Sequence, residues 1–129
     1  MNWQQALRQR LLDAPAVSAI IGARATWRVR PADGLLPALV LTTVSDPRPQ
    51  TLKEFYPRRE SRVQLDCYAA TQAEVSALCD AAITALAPGG AFNGIKFGRA
   101  NFDPVRDLGT ETETGFVHRY SFDILVWHD

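Results

Sequence analysis

The sequence contains few of the residues that usually reveal a chemical function. It has two cysteines, two histidines and one methionine in 129 residues. Cys67 and Cys79 have no histidine nearby, so they make a poor zinc site and are expected to be two small buried hydrophobes. His118 and His128 share one predicted strand about 33 Å apart by strand rise, too far to hold one metal ion. We expect each histidine at the surface or rim of the fold.

Long apolar runs and an excess of one charge are also missing. No run of about 18 apolar residues is present, so no membrane partner is expected. The first 15 residues lack the apolar core of a secretion signal, which predicts folding in the cytoplasm. The 14 Lys and Arg residues balance the 14 Asp and Glu residues. Because a dedicated nucleic-acid binder carries a basic excess, no specific nucleic-acid binding is expected.

Catalytic motifs are missing as well. There is no G-x-S-x-G nucleophile elbow, and Gly89, Gly90, Gly94 and Gly98 follow a predicted helix, whereas phosphate-binding glycines precede one. An enzyme would need a pocket that gathers Asp66, Asp123 or a histidine, and both aspartates fall on polar strand faces. The sequence therefore predicts no enzyme, no catalytic residue, no metal and no cofactor.

What the sequence does contain is a clear strand followed by a helix at residues 60–86. Val63, Leu65 and Cys67 alternate with polar residues, which indicates a strand with one apolar face. Thr71 and Glu74 form a capping box at the start of a helix. That helix has an apolar stripe and ends before Pro88, Gly89 and Gly90. The stripe consists of Val75, Leu78, Cys79, Ala82 and Leu86.

The remaining patterns complete an α+β fold. An amphipathic helix capped by Asn2 is predicted at residues 2–13, followed by a short turn that closes at Gly22. Strands are predicted at Ala25–Arg30, Ala38–Val44 (a central strand), Ile95–Phe102 and Phe116–Trp127. Long loops are predicted at 46–59 and 103–115. The whole, residues 1–129, is expected to form one domain: a mostly antiparallel sheet of about five strands with two main helices packed on one face.

The two long loops carry opposite charge. Residues 1–62 have ten basic and five acidic residues, whereas residues 63–129 have four basic and nine acidic ones. Such a chain can contact copies of itself head to tail. On the basic side, the candidate assembly contacts are Arg48, Lys53, Phe55, Tyr56, Arg58 and Arg59. On the acidic side they are Asp107, Glu111 and Glu113. Trp127, on the outward face of the last strand, adds an apolar contact.

An alternative function depends on the predicted strand Ala25–Arg30. Arg24, Arg28 and Arg30 share one face of this strand and Trp27 lies beside them. Basic side chains with an aromatic one can bind single-stranded nucleic acid. The alternative is therefore a small α+β nucleic-acid-binding module, although a solvated strand face explains the same pattern.

Three segments together resemble small tail completion proteins of long-tailed bacteriophages. The first is residues 7–41, LRQRLLDAPAVSAIIGARATWRVRPADGLLPALVL. The second is residues 62–86, RVQLDCYAATQAEVSALCDAAITAL, which is similar to the strand and helix in the middle of that family. The third is residues 116–129, FVHRYSFDILVWHD, which resembles the family's last strand. The loop DPVRDLGTETETG departs from the family pattern, because Pro104 and Val105 replace the usual aromatic position.

The resemblance implies a structural protein of a phage or prophage tail. Family members form rings at the head-proximal end of the tail tube, end tube growth and join the tail to the head. The implied partners are other copies of the chain in a hexamer, the tail tube protein and the head connector protein. The implied location is the virion tail, after folding and assembly in the cytoplasm of the bacterial host.

Overall fold

The computed structural model describes residues 1–30, 34–48, 58–112 and 115–129. The helices are α1 (Trp3–Asp13), α2 (Pro15–Ile21) and α3 (Gln72–Leu86). The strands are β1 (Ala25–Trp27), β2 (Ala38–Ser45), β3 (Arg59–Ala69), β4 (Gly90–Phe92), β5 (Ile95–Phe97), β6 (Asn101–Phe102), β7 (Arg106–Asp107), β8 (Thr110–Thr112) and β9 (Gly115–His128). The α+β class and the mostly antiparallel sheet are confirmed. The predicted numbers are wrong, since the described residues form three helices and nine strand segments.

Two of the three helices begin at the predicted N-cap residues, Asn2 and Thr71, but of the capping box predicted at Thr71 and Glu74 only the Thr71 side-chain bond is present. Asn2 caps α1, because its Oδ1 accepts the Gln5 N–H at 2.8 Å while the Gln5 side chain accepts the Asn2 N–H at 3.0 Å. Thr71 caps α3 by accepting the Glu74 N–H at 3.2 Å. Each cap satisfies backbone donors that have no partner inside the helix. The apolar stripe predicted for α3 is buried along its whole length.

Helix α2 corrects the prediction of a turn after residue 15. Pro15 occupies the start of this seven-residue helix, where its missing N–H costs no hydrogen bond. Gly22 follows with φ of +61°, a conformation that glycine adopts without strain. Val17 and Ile21 are fully buried, so core packing stabilises a helix too short to persist alone.

The centre of the sheet is β3, which pairs antiparallel with β2 on one side and β9 on the other. Leu41, Leu65 and Phe122 are register partners across the three strands, and all three are fully buried. This confirms the apolar face predicted for residues 60–68 and the interior position of β2. The helices pack on that face, and helix and strand residues form one core.

The edge strand β1 is shorter than predicted. It covers Ala25–Trp27 and pairs parallel to β2, and the chain turns away at Arg28, whose φ is +77°. The Arg28 N–H donates to Leu41 O at 2.7 Å and the Val29 N–H to Trp27 O at 3.0 Å. The alternation of apolar and basic residues predicted a strand through Arg30. The backbone conformation at Arg28 ends the strand at Trp27 instead.

The free edge of β9 carries four short segments where a strand and a long loop were predicted. β5, β6, β7 and β8 all pair antiparallel with β9. The segments that pair with β9 contain one extra residue relative to β9 between Phe97 and Asn101, and another between Phe102 and Arg106. The pairing register shifts by one residue at each place. Such bulges bend a strand. These bulges divide the predicted strand Ile95–Phe102 and the predicted loop 103–115 into short strands.

The two cysteines join strand and helix inside the core. Cys67 on β3 and Cys79 on α3 are both buried and both free thiols. A hydrogen bond to the Cys79 thiol, together with burial, raises the pKa of the Cys67 thiol. The prediction that both act as small buried hydrophobes is confirmed.

Candidate assembly surfaces

The structure describes three of the contact residues predicted in the basic segment, Arg48, Arg58 and Arg59. Arg48 Nη1 lies 2.7 Å from Asp46 Oδ2, and Arg59 Nε lies 2.6 Å from Asp46 Oδ1. Arg58 Nε lies 3.8 Å from Asp129 Oδ1. Lys53, Phe55 and Tyr56 lie outside the described residues. Part of the positive charge at this end is therefore neutralised within the chain.

Asp46 connects this basic end to a buried hydrogen-bonded group. Ser61 Oγ donates to Asp46 Oδ1 at 2.9 Å and lies 2.7 Å from His128 Nε2. Burial raises the pKa of the Asp46 carboxyl, but the hydrogen bonds from Arg59, Arg48 and Ser61 outweigh it, so the pKa lies below its usual value. Because the carboxylate contacts the serine and the His128 Nδ1 faces the Asp129 carbonyl, the arrangement differs from a catalytic triad.

His128 corrects the expectation of a histidine at the surface or rim. Its side chain is fully buried and stacks on Trp3, with ring centroids 4.2 Å apart and planes inclined by 16°. Burial lowers the pKa of His128, which favours the neutral imidazole. His118 lies half-buried near the other end of β9, with its ring edge-to-face against Phe116.

The acidic candidates lie on strands. Asp107 is on β7 and accepts the Gly109 N–H at 3.2 Å, and Glu111 is on β8; both are exposed. Glu113 lies outside the described residues. Glu111 pairs with Phe116 at one end of β9, whereas Arg59 pairs with His128 at the other. Twelve residues of strand separate the two ends, about 40 Å at the usual strand rise.

Trp127 lies at the basic end of β9, on the face of the sheet away from the helices. It pairs with Glu60 and its side chain is 46% exposed. Its Cβ lies close to Gly98, where a side chain would meet it at 3.0 Å. This large exposed apolar surface is where the sequence predicted it.

The sequence did not reveal a ladder of ion pairs across that same face. Arg62 Nη1 lies 2.5 Å from Asp103 Oδ2 and 3.2 Å from Asp123 Oδ2. These two carboxylates raise the pKa of Arg62. Nearer the other end, Arg119 Nη2 lies 3.0 Å from Asp66 Oδ1, and Gln64 donates to Asp66 Oδ2 at 2.9 Å. Both aspartates considered for an enzyme site are thus held by arginines.

Two residues of the nucleic-acid alternative, Trp27 and Arg30, lie on opposite faces of the sheet. Arg24 Nε donates to Pro37 O at 2.8 Å, and Trp27 packs against Trp3 and donates its Nε1 to Gln4 O at 3.2 Å. Arg30 lies over the Tyr68 ring at 5.2 Å. Trp27 faces the helices and Arg30 faces the opposite side of the sheet, so the predicted basic, aromatic face is absent from the described structure.

Other binding chemistry has little support in the described part of the chain. Its His, Cys, Asp and Glu residues form no group that could hold a metal ion. None of its helices is long and apolar enough to cross a membrane. One surface depression, about 540 Å³, is lined mainly by amide and hydroxyl side chains beside Trp27 and Arg28.

These features define a small α+β protein whose distinctive side chains form charged surfaces. The family model of tail completion protein gp17 matches residues 5–129, so the chain belongs to this family and is a structural protein of phage-type tails. A search of curated proteins gave no significant match. The membership confirms the resemblance inferred from the three sequence segments.

Solved structures share the fold at low sequence identity. One, described as the virion of a native gene transfer agent particle, has a TM-score of 0.68 at 14% identity, covering 98% of this chain and 93% of its own. A second has a TM-score of 0.62 at 11% identity, covering 98% of this chain and 92% of its own. At sequence identities this low, the similarity shows only that the fold is shared.

Proposed function

We propose that this chain is a non-enzymatic tail completion protein of a phage or prophage. It forms a ring at the head-proximal end of the tail tube, terminates the tube and joins the tail to the head. Its partners are further copies of itself, six in the ring, together with the tail tube protein and the head connector protein. It folds in the bacterial cytoplasm and becomes part of the virion tail.

Family membership and a fold shared with a chain of a gene transfer agent virion support this proposal. The observation that carries it is the position of the charges. Exposed Asp107 and Glu111 lie toward one end of β9, and Arg48, Arg58 and Arg59 lie at the other. Surfaces of opposite charge at different places on one subunit can each bind a different partner, either another copy in the ring or another tail component.

The residues proposed as assembly contacts follow from these positions. At the basic end they are Arg48, Arg58, Arg59 and Trp127, together with Lys53, Phe55 and Tyr56 of the same segment. At the acidic end they are Asp107, Glu111 and Glu113. Aromatic residues and arginines are the side chains most enriched in protein interfaces.

Light scattering at rising protein concentration, with and without purified tail tube protein, tests the proposal. We expect a discrete oligomer that is stabilised by the tube protein. Trp127→Ser should weaken assembly and Trp127→Phe should preserve most of it, since an exposed side chain contributes little to the fold itself. A wild-type chain that remains monomeric at every concentration and does not bind the tube protein would overturn the proposal.

A further inference from the structure

Ten of the twelve arginines fall into two groups according to their partners, and Arg10 and Arg99 belong to neither group. Six form ion pairs with aspartates of the same chain: Arg48, Arg58, Arg59, Arg62, Arg106 and Arg119. Four others lie on or beside β1, and none has a carboxylate partner among the described residues: Arg8, Arg24, Arg28 and Arg30. Among the described residues, the largest group of arginines without a carboxylate partner therefore lies at the β1 edge of the sheet.

The opposite edge carries uncompensated negative charge. Asp107 on β7 and Glu111 on β8 are exposed, and neither has an ion pair within the described ranges. The sheet runs from β1 through β2, β3 and β9 to these two strands. Four inter-strand spacings of about 4.8 Å place the two edges roughly 19 Å apart.

Asp107 lies level with β1 along the strands, and Glu111 lies further toward the start of β9, where it pairs with Phe116. A single row of register partners crosses the whole sheet, consisting of Ala25, Leu39, Cys67, Tyr120 and Asp107. Arg24, which precedes Ala25 in sequence, is thus level with Asp107. A copy placed beside the first, in the same orientation, would bring these opposite charges together.

Exposed apolar side chains accompany the charges on both edges. Val29 is 69% exposed and Leu35 55% exposed beside β1, and Val105 and Leu108 are 42% and 39% exposed beside β7. Apolar residues surrounded by charged ones are typical of protein–protein contacts. Each edge therefore presents charged and apolar side chains that complement those of the other edge.

The backbone at the β1 edge is already occupied. Arg8 Nε donates to Ala25 O at 2.6 Å, and the Val29 N–H donates to Trp27 O at 3.0 Å. Occupied carbonyls prevent another strand from adding to an edge. A contact at this edge must therefore use side chains.

We propose that neighbouring subunits pack edge to edge, with Arg24, Arg28 and Arg30 of one copy facing Asp107 and Glu111 of the next. Val29 and Leu35 pack against Val105 and Leu108 in the same contact. This inference rests on the proposed ring and assigns its lateral contact. The ion-paired basic end of β9 is then left for other tail components.

Charge reversal tests the inference, with sedimentation velocity at low salt as the measurement. One variant reverses the basic edge with Arg28→Asp and Arg30→Glu, where aspartate tolerates the positive φ at residue 28 better than most residues do. The other reverses the acidic edge with Asp107→Lys and Glu111→Lys. We expect each variant alone to associate at least roughly tenfold more weakly, because like charges then meet.

An equimolar mixture of the two variants should regain association, since complementary edges then meet between unlike copies. Two controls accompany the test: Arg99→Glu, at an exposed position between β5 and β6, and Asp80→Lys on the exposed side of α3. Both should leave self-association unchanged. Circular dichroism melts confirm that every variant is folded.

The outcomes separate this inference from the proposed function. If wild type forms a ring and the edge variants do so equally well, the edge contact is wrong and the ring remains. A third variant, Arg48→Glu with Arg58→Glu at the basic end of β9, tests the competing lateral contact, and loss of self-association in this variant alone would also overturn the edge contact. The edge contact would also be wrong if the basic-edge variant lost salt-dependent binding to single-stranded DNA while its self-association was unchanged. The basic edge would then bind nucleic acid. A wild type that never associates overturns both proposals.

Discussion

Arg10 shows how one residue can depart from the pattern of its helix. It lies on the buried side of α1, only 4% exposed, and its Nη2 donates to Pro88 O at 2.8 Å and to Ala85 O at 3.3 Å. Its guanidinium lies 4.0 Å from the centroid of the Phe92 ring. Helix α3 has no basic residue in its last turn, so Arg10 supplies the donors and positive charge that this end favours. Burial lowers the pKa of Arg10 to about 10.

Arg10→Ala should reduce the free energy of unfolding by roughly 2–4 kcal/mol, because it leaves a cavity and two carbonyls without their donor. Arg10→Met should cost less, since it fills the space and removes a buried charge whose Nε and Nη1 have no hydrogen-bond partner among the described residues. Urea denaturation measures both. Equal losses for the two variants would show that the charge matters more than the packing.

His128 predicts how stability depends on pH. Because burial lowers its pKa in the folded state, the unfolded chain binds the proton more readily. Neutral His128 contributes its full stabilisation at pH values above the ordinary histidine pKa. This contribution is lost as the pH falls toward the lower pKa that His128 has in the folded state. Thermal melts between about pH 7.5 and 5 should therefore show falling stability. His128→Phe keeps an aromatic ring against Trp3 and should flatten this dependence; an unchanged slope would assign it to other groups.

At the scale of elements, the strand and helix at residues 59–86 were the most predictable part. Period-two alternation in β3 and the apolar stripe of α3 each match one buried face, because the core lies on one side of both elements. The segments beside β9 were harder to predict. Thr110, Glu111 and Thr112 alternate like a strand, but the bulges before them, at Gly98–Ala100 and Asp103–Val105, break the pattern that would have connected them.

Leu65→Ala in β3 and Leu78→Ala in α3 should each reduce the free energy of unfolding by roughly 2–5 kcal/mol, because both side chains are fully buried in the shared core. Asp80→Ala, on the exposed side of the same helix, should change stability by less than about 0.5 kcal/mol. Denaturant melts compare the three. A loss below about 1 kcal/mol at either leucine would contradict the assigned core.

At the scale of the whole molecule, charge is sorted by position. Ion pairs neutralise the face of the sheet away from the helices and most of the basic end of β9. Within the described ranges, arginines and carboxylates without an ion pair remain on opposite edges. A net charge of zero conceals this separation. It favours ordered contacts between copies over binding to a uniformly charged partner.

Self-association should therefore weaken as salt rises. Exposed charges are screened beyond about 10 Å at 0.1 M salt and about 3 Å at 1 M, so an edge-to-edge contact loses most of its electrostatic attraction over that range. Sedimentation velocity across a salt series measures it, and the unfolding midpoint serves as the control because the core is apolar. Association that strengthens with salt would instead indicate a mainly apolar contact, such as one through Trp127.

The sequence by itself determined α1, α3, β3 and β9, whose residues repeat with a regular period, and the central strand β2, whose residues are continuously apolar. It also determined the α+β class and the tail completion family. Periodicity and capping are local properties, so neighbouring residues suffice to reveal them. Only the tertiary structure decided that α2 is a helix, that β1 ends at Trp27, that His128 is buried and that residues 103–112 line β9. It also decided which charges are paired. Those outcomes depend on partners far away in sequence, such as Asp46 with Arg59 and Arg62 with Asp123, which no local pattern encodes.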